Sequence, residues 1–213
     1  MSYNCIIFDL DGTLIDSKRD LVISANFALR KFGLPEQKPE TIYPYIGFGL
    51  RNLMVNLIPP KSDIDVDDVI RVFRAHYREH CLDTTKLLDG AEELISYLFG
   101  RKLAVVTNKT LEPTEIILRG LGVLDKFQVI LGHDSVENKK PHPEPIFKTI
   151  EILKVGKNDA IMVGDSHIDV QAGKAAGIAT CGLKNGIGGL KELLDSSPDY
   201  IIDNLLELKE IVL

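Results

Sequence analysis

Short apolar runs rich in valine and isoleucine alternate with amphipathic stretches along most of this chain. Six runs, at 5–8, 103–106, 128–131, 160–163, 179–182 and 200–202, read as strands. They are continuously apolar, the pattern of strands in a parallel sheet covered on both faces. Helical patterns lie between them at 91–99, 111–121, 144–154, 168–176 and 189–194. Gly122 and Gly177 stand where two of these helices should stop in a left-handed turn. The recurring strand–helix order predicts an α/β fold with a doubly wound parallel sheet.

One region breaks this rhythm. Residues 17–83 hold no convincing strand. Leu21, Ala25, Ala28, Leu29 and Phe32 recur at helical spacing, and Gly33 and Pro35 stop that helix. A second helix is expected over 50–57. A third is expected over 67–80, with Val69, Val72, Phe73 and Tyr77 on one face. A right-handed crossover needs only one helix, so the surplus reads as an insert. The expected division is a core of 1–15 and 84–213 and a helical cap of 16–83, entered through 14–17 and left through 82–88. No internal repeat or low-complexity block interrupts this plan.

Composition narrows the class. The 213 residues are 45% apolar, enough for one sizeable core. Net charge is −6, which argues against nucleic-acid binding. The stretch 17–83 carries 10 basic against 9 acidic residues, so the negative excess sits in the remainder. Cys5, Cys81 and Cys181 are far apart, odd in number and form no CxxC. Neither a disulfide framework nor a thiolate metal site is expected, which fits a reducing cytosol. The N-terminus lacks a basic segment followed by an apolar one, and no stretch approaches the roughly 18 apolar residues of a membrane span. The expectation is a soluble, cytoplasmic protein; nothing in the pattern separates a monomer from a dimer.

In open α/β sheets, ligands gather beyond the carboxyl ends of the strands. The first strand delivers Asp9 and Asp11 there. Two close carboxylates in an apolar site cannot both stay ionised uncompensated, so one keeps its proton or a cation sits beside them. Asp11-Gly12 is also a good turn pair. A calcium loop is excluded, because the D-x-D-x-D-G spacing and distal Glu are missing. The second strand delivers Thr107-Asn108-Lys109, donors that suit phosphate oxygens or a helix cap. After the third comes Lys139-Lys140-Pro141-His142-Pro143-Glu144-Pro145, where the prolines stiffen the approach to a helix and give a lysine a defined aim. A solvated lysine pair is the plain alternative. The fourth delivers Gly164-Asp165-Ser166-His167-Ile168-Asp169, whose acids, four apart, meet near the sheet edge or simply cap a helix. His167 has no second histidine at zinc-ligand spacing. His76 and His80, four apart on the third insert helix, form half a metal site or a pair of surface histidines. Taken together, the strand ends carry three or four carboxylates, one lysine and neutral donors, a set suited to Mg²⁺ and a phosphate.

These segments, in this order, resemble the haloacid dehalogenase superfamily of phosphotransferases, and the resemblance covers essentially the whole chain. It implies a Rossmann-like core with a helical, C1-type cap inserted after the first strand. Carried over by motif, Asp9 resembles the nucleophile that forms an aspartyl-phosphate. Asp11 resembles the general acid/base, with its backbone carbonyl a metal ligand. Thr107, Asn108 and Gly12 belong with the phosphate-binding set. Lys140 resembles the lysine that neutralises nucleophile and phosphate. Asp165 and Asp169 resemble Mg²⁺ ligands, Asp169 directly or through water, and Asp9 shares the ion. Thr13 favours phosphatases over mutases. The stretches 43–53, 107–109 and 139–145 look most like phosphoglycolate phosphatases.

The expected function is therefore Mg²⁺-dependent hydrolysis of a small phosphomonoester, best 2-phosphoglycolate. Alternatives on the same scaffold are a sugar-phosphate mutase, a pyrophosphatase, a 5′-nucleotidase or a non-catalytic module. Arg51 and Arg74, on the second and third insert helices, are the cations that could meet a substrate carboxylate.

Overall fold

The computed structural model describes residues 3–213. Strand β1 (Cys5–Phe8) is followed by a two-residue strand β2 (Ile15–Asp16), then helices α1 (Lys18–Lys31), α2 (Pro39–Ile42), α3 (Leu50–Leu57) and α4 (Val66–His80). Strand β3 (Lys86–Leu87) returns the chain, and α5 (Ala91–Tyr97), β4 (Lys102–Val106), α6 (Leu111–Gly120) and β5 (Val129–Leu131) follow. The remainder runs α7 (Glu144–Leu153), β6 (Ala160–Gly164), α8 (His167–Ala176), β7 (Ala179–Leu183), α9 (Leu190–Asp195), β8 (Tyr200–Ile202) and α10 (Leu208–Ile211). All six expected strands are present.

The six form one sheet in the order β5-β4-β1-β6-β7-β8, every pair parallel. The chain winds outward from β1 through β4 to β5, then resumes on the other side with β6. The switch in direction falls between β1 and β6, where ligands of such sheets bind. Strand β1 is central and fully buried. Its residues divide by pleat: Ile6 and Phe8 enter a large cluster with Leu94, Ile117 and Leu208, and Cys5 and Ile7 enter a second with Ile146, Ile150 and Ala172. That two-sided burial explains why the run is apolar without alternation.

The helices between β2 and β3 pack α1 against α4 and α3 against α4. Helix α1 buries Leu21, Val22, Ala25, Ala28 and Leu29; α4 buries Val69, Ile70, Phe73 and Tyr77. Ile70, rather than Val72, completes the fully buried stripe on α4. These residues belong to the same apolar cluster as one face of the sheet. Strands β2 and β3 pair antiparallel, Ile15 with Leu87 and Asp16 with Lys86, so the chain leaves and re-enters through one narrow ribbon. Two-residue strands are too short to leave a periodic signal, so the ribbon was not anticipated. Gly177 ends α8 in the left-handed conformation, and Gly122 adopts it just beyond α6.

A buried acid fastens this ribbon. Asp20, 1% exposed, sits in the first turn of α1. Its carboxylate accepts from the backbone N–H groups of Thr84 (3.0 Å) and Thr85 (2.8 Å) and from their hydroxyls (2.6 and 2.8 Å). Burial alone would raise its pKa, but these donors outweigh burial and hold it below the usual carboxylate range. A depressed folded-state pKa stabilises above the unfolded value, about 4, and the contribution is lost as pH falls through the lower folded value. Asp20→Ala leaves four donors without their acceptor and should cost about 3 kcal/mol at neutral pH, read by urea unfolding. The gap between wild type and variant should narrow as the pH is taken below about 4.

Candidate active site

Three neighbouring strands aim chemistry at one edge. Asp9 follows β1, Thr107 follows β4 and Asp165 follows β6. Asp169 lies one turn into α8, and the segment before α7 brings in Lys140. Carboxylate oxygens of Asp9, Asp165 and Asp169 lie within 4.8 Å of one another, all buried. Lys140 Nζ bridges two of them, donating to Asp9 Oδ1 at 2.7 Å and to Asp169 Oδ1 at 2.6 Å. Lys140 is 3% exposed, so it is an internal charge and not a solvated one.

Electrostatics follow from burial. Desolvation pushes the Asp9 carboxyl up to about 8, opposed by Lys140 and reinforced by Asp169 and Asp165. Asp165 is pushed up to about 6, by burial first and then by Asp169. Burial would lower the Lys140 pKa, but Asp169 and Asp9 more than offset it and raise it above the ordinary lysine value. One buried cation therefore faces three buried carboxyls, short of the charge needed to keep all three ionised. A hard divalent cation with oxygen ligands fits that deficit, and the donor set contains neither sulfur nor nitrogen.

Each acid is also held by neutral donors. Asp165 Oδ2 accepts from the N–H groups of Ile187 (2.6 Å) and Gly188 (2.8 Å), and Oδ1 from the Thr13 hydroxyl (3.2 Å). Asp169 Oδ2 closes a capping box with the Ser166 N–H and hydroxyl, leaving Oδ1 for Lys140. The capping and ligand readings of Asp169 are thus compatible, one per oxygen. Gly12 has φ +88°, and a Cβ there would collide with the Asp165 carboxylate and approach Ile187 N to 2.8 Å. Only glycine lets this backbone lie so close to Asp165.

Asp11 stands apart from the three-acid cluster. Its Oδ1 accepts from Ser17 Oγ at 2.5 Å and from Lys109 Nζ at 2.7 Å. Lys109 Nζ also reaches the Tyr77 hydroxyl at 2.8 Å and lies 4.8 Å from the centre of that ring. Tyr77 lies on α4, so a chain of buried polar groups runs from the insert helices to Asp11. In the sequence Lys109 stands only as the last residue of a motif, and Tyr77 reads as a core residue on an apolar face. Ser17 and the loop 185–188 were missed. The glycines at 186 and 188 were the available signal for the loop.

Asp9, Asp11, Thr107, Asn108 and Lys109 line a cavity of about 250 Å³, walled on the other side by Leu21, Ile46, Leu53 and Phe73. Asn108 Nδ2 donates to the carbonyls of Gly47 (2.9 Å) and Lys140 (3.0 Å). Its Oδ1 is buried without a hydrogen-bond donor. Lys139 Nζ donates to the Phe48 carbonyl at 2.7 Å, and the Phe48 ring lies 5.7 Å from that of His167. Arg74 lines the cavity, whereas Arg51 is ion-paired to Asp67 outside it. His76 and His80 stack at 4.3 Å, their Nδ1 atoms bonded to Ser24 and Asp83, and belong to no metal-capable group among the described residues. No helix among those residues is long and apolar enough to cross a membrane.

Residues 6–183 match the family described as haloacid dehalogenase-like hydrolase. A phosphoglycolate phosphatase of Aquifex aeolicus is 36% identical over 209 residues, 97% of this chain and 95% of that one. A pyrophosphatase, PpaX, of Listeria monocytogenes is 36% identical over 218 residues, covering 97% and 95%. A crystal structure described as a predicted phosphoglycolate phosphatase from Haemophilus somnus superposes with a TM-score of 0.94 at 30% identity, covering 100% of this chain and 99% of the other. With the sheet, the strand-end acids and the buried lysine in place, the chain belongs to the haloacid dehalogenase-like hydrolase family.

Proposed function

We propose that this hydrolase is a Mg²⁺-dependent phosphatase that passes through an aspartyl-phosphate on Asp9, with 2-phosphoglycolate as its best substrate. The observation that carries the reading is Lys140 Nζ, fixed between Asp9 and Asp169 at 2.7 and 2.6 Å inside a buried three-acid cluster. The phosphoglycolate phosphatases and pyrophosphatases among the relatives support it and make inorganic pyrophosphate the second substrate to test.

Asp9, Asp165 and Asp169, with the Asp11 backbone carbonyl, would hold the ion. Bound there, Mg²⁺ supplies positive charge to the carboxylates and to the transferring phosphoryl group. An Asp9 oxygen forms a bond to phosphorus as the bond to the leaving oxygen breaks. That oxygen takes a proton from Asp11. The Asp11 carboxylate then takes a proton from water as the water oxygen attacks phosphorus, releasing phosphate and regenerating Asp9. The net change is ester plus water to alcohol plus phosphate. Lys140, the Thr107 hydroxyl and backbone N–H groups near Gly12 stabilise the charge that develops on the phosphoryl oxygens.

Residues 16–83 act as a cap over this centre. Asn108 and Lys139 hold the loop 46–50 to the core through the carbonyls of Gly47 and Phe48. That contact closes the cavity and excludes water from the intermediate.

Asp9→Asn should lower kcat at least 10³-fold with unchanged far-UV circular dichroism; retained turnover sinks the nucleophile assignment. Mg²⁺ should raise the Tm of the protein, EDTA should reverse the shift, and Asp165→Asn should abolish it. Lys139→Met should lower kcat/KM about tenfold and expose the loop 46–50 to protease. An unchanged cleavage pattern there would mean that Lys139 is no latch.

A further inference from the structure

Helix α4 carries three arginines at positions 71, 74 and 78. Arg71 pairs with Asp68 at 2.8 Å and Arg78 with Glu112 at 3.0 Å. Arg74, between them, makes no ion pair among the described residues and lines the cavity instead. Across the cavity from α4, the turn after β5 presents His133. Burial holds the His133 imidazole below its ordinary pKa, Asp134 opposes it, and the nearby charges of Lys139 and Arg74 add to the lowering. The two elements bring Arg74 and His133 to one cavity together with Glu112 and Asp134, but Glu112 is paired with Arg78 and Asp134 Oδ1 accepts from the Leu111 N–H.

The rest of the wall restricts what fits. Leu21, Ile46, Leu50, Leu53 and Phe73 are apolar, and the Tyr77 hydroxyl is already engaged by Lys109. The polar remainder includes Tyr45 and Thr110, together with Glu112, which is held by Arg78. The cavity, about 250 Å³, lies below the roughly 300–1,000 Å³ typical of sites for larger ligands. A small leaving group that ends in its own negative charge would give the exposed Arg74, which has no carboxylate partner among the described residues, an ion pair at the cavity wall.

We infer that Arg74 and His133 form a second anion subsite that selects substrates bearing a carboxylate or phosphate beyond the scissile phosphoryl group. This rests on the phosphatase reading above and adds a specificity determinant to it. Arg74 supplies the permanent charge and a forked donor. His133 supplies an N–H and gains a proton more readily once an anion lies beside it.

The test compares kcat/KM for 2-phosphoglycolate, pyrophosphate and 2-hydroxyethyl phosphate, in which a neutral hydroxymethyl group replaces the carboxylate. The wild type should prefer at least one of the two substrates with a second anion by about tenfold or more over 2-hydroxyethyl phosphate. The preferred one identifies the anion. Arg74→Gln should erase that preference, and Arg74→Lys should restore part of it. Equal hydrolysis of all three by the wild type, or a preference that survives in Arg74→Gln, overturns the subsite while leaving the phosphatase reading intact. Hydrolysis of none overturns the phosphatase reading instead. The subsite is then decided by NMR titration of His133 in the Asp9→Asn protein. 2-Phosphoglycolate or pyrophosphate should raise the His133 pKa and orthophosphate should not; an unmoved His133 rejects the subsite.

Discussion

The site is organised around one buried ammonium group. Lys140 Nζ has two carboxylate partners within 2.7 Å and almost no contact with solvent. Removing a lysine and three aspartates from water is costly, and a mutual attraction repays it only when the geometry is close and the remaining lone pairs are bonded. Here both conditions are visible. The lysine bridges Asp9 and Asp169, and neutral donors take the outer oxygens of Asp165 and Asp169. What stays uncompensated is the excess of acid over base, expressed in the raised pKa values of Asp9, about 8, and Asp165, about 6. That imbalance suits the proposed function: a divalent cation held there would offset it and keep Asp9, the proposed nucleophile, ionised.

The sheet makes this tolerable. Asp9 and Asp165 follow β1 and β6, the adjacent strands on either side of the point where the winding reverses. Helices cannot cover that edge on both sides at once, so a crevice is left there by topology. Strands β1 and β6 are wholly buried and fix their terminal residues firmly, and the loops add the adjustable donors. Gly12 shows how tight the result is, since even a methyl group there would strike Asp165.

Much of this was legible in the chain. The six strands stood out because two-sided burial demands unbroken apolar runs, as in Cys5-Ile6-Ile7-Phe8. The acids and Lys140 stood out in combination: a turn, a helix cap or a solvated lysine accounts for each segment alone, but not for polar and charged groups following four strands of one sheet. The ribbon of β2 and β3 was illegible because two residues have no period. Lys109, Tyr77 and Ser17 were missed for a different reason. Their importance lies in meeting Asp11 from three separate segments, and long-range convergence leaves no local spacing to read. Arg51 and Arg74 looked equivalent in sequence; only the packing of α3 and α4 separates an ion-paired surface residue from one on the cavity wall.

The same packing divides labour between the two parts of the molecule. The groups proposed to act on the phosphoryl unit, Asp9, Lys140, Asp165, Asp169 and Thr107, all come from the segments at the sheet edge. The groups placed to judge the rest of the substrate come largely from the helices between β2 and β3: an apolar wall and Arg74. A chain that enters and leaves those helices through one two-residue ribbon can vary their surface without disturbing the acids below. Tyr77 and Lys109 qualify that independence, because they connect α4 directly to Asp11 through buried hydrogen bonds. A change in how α4 seats on the core therefore reaches the proposed acid/base group. Under the proposed mechanism, recognition of the leaving group and the proton transfer that releases it would be mechanically joined at that contact.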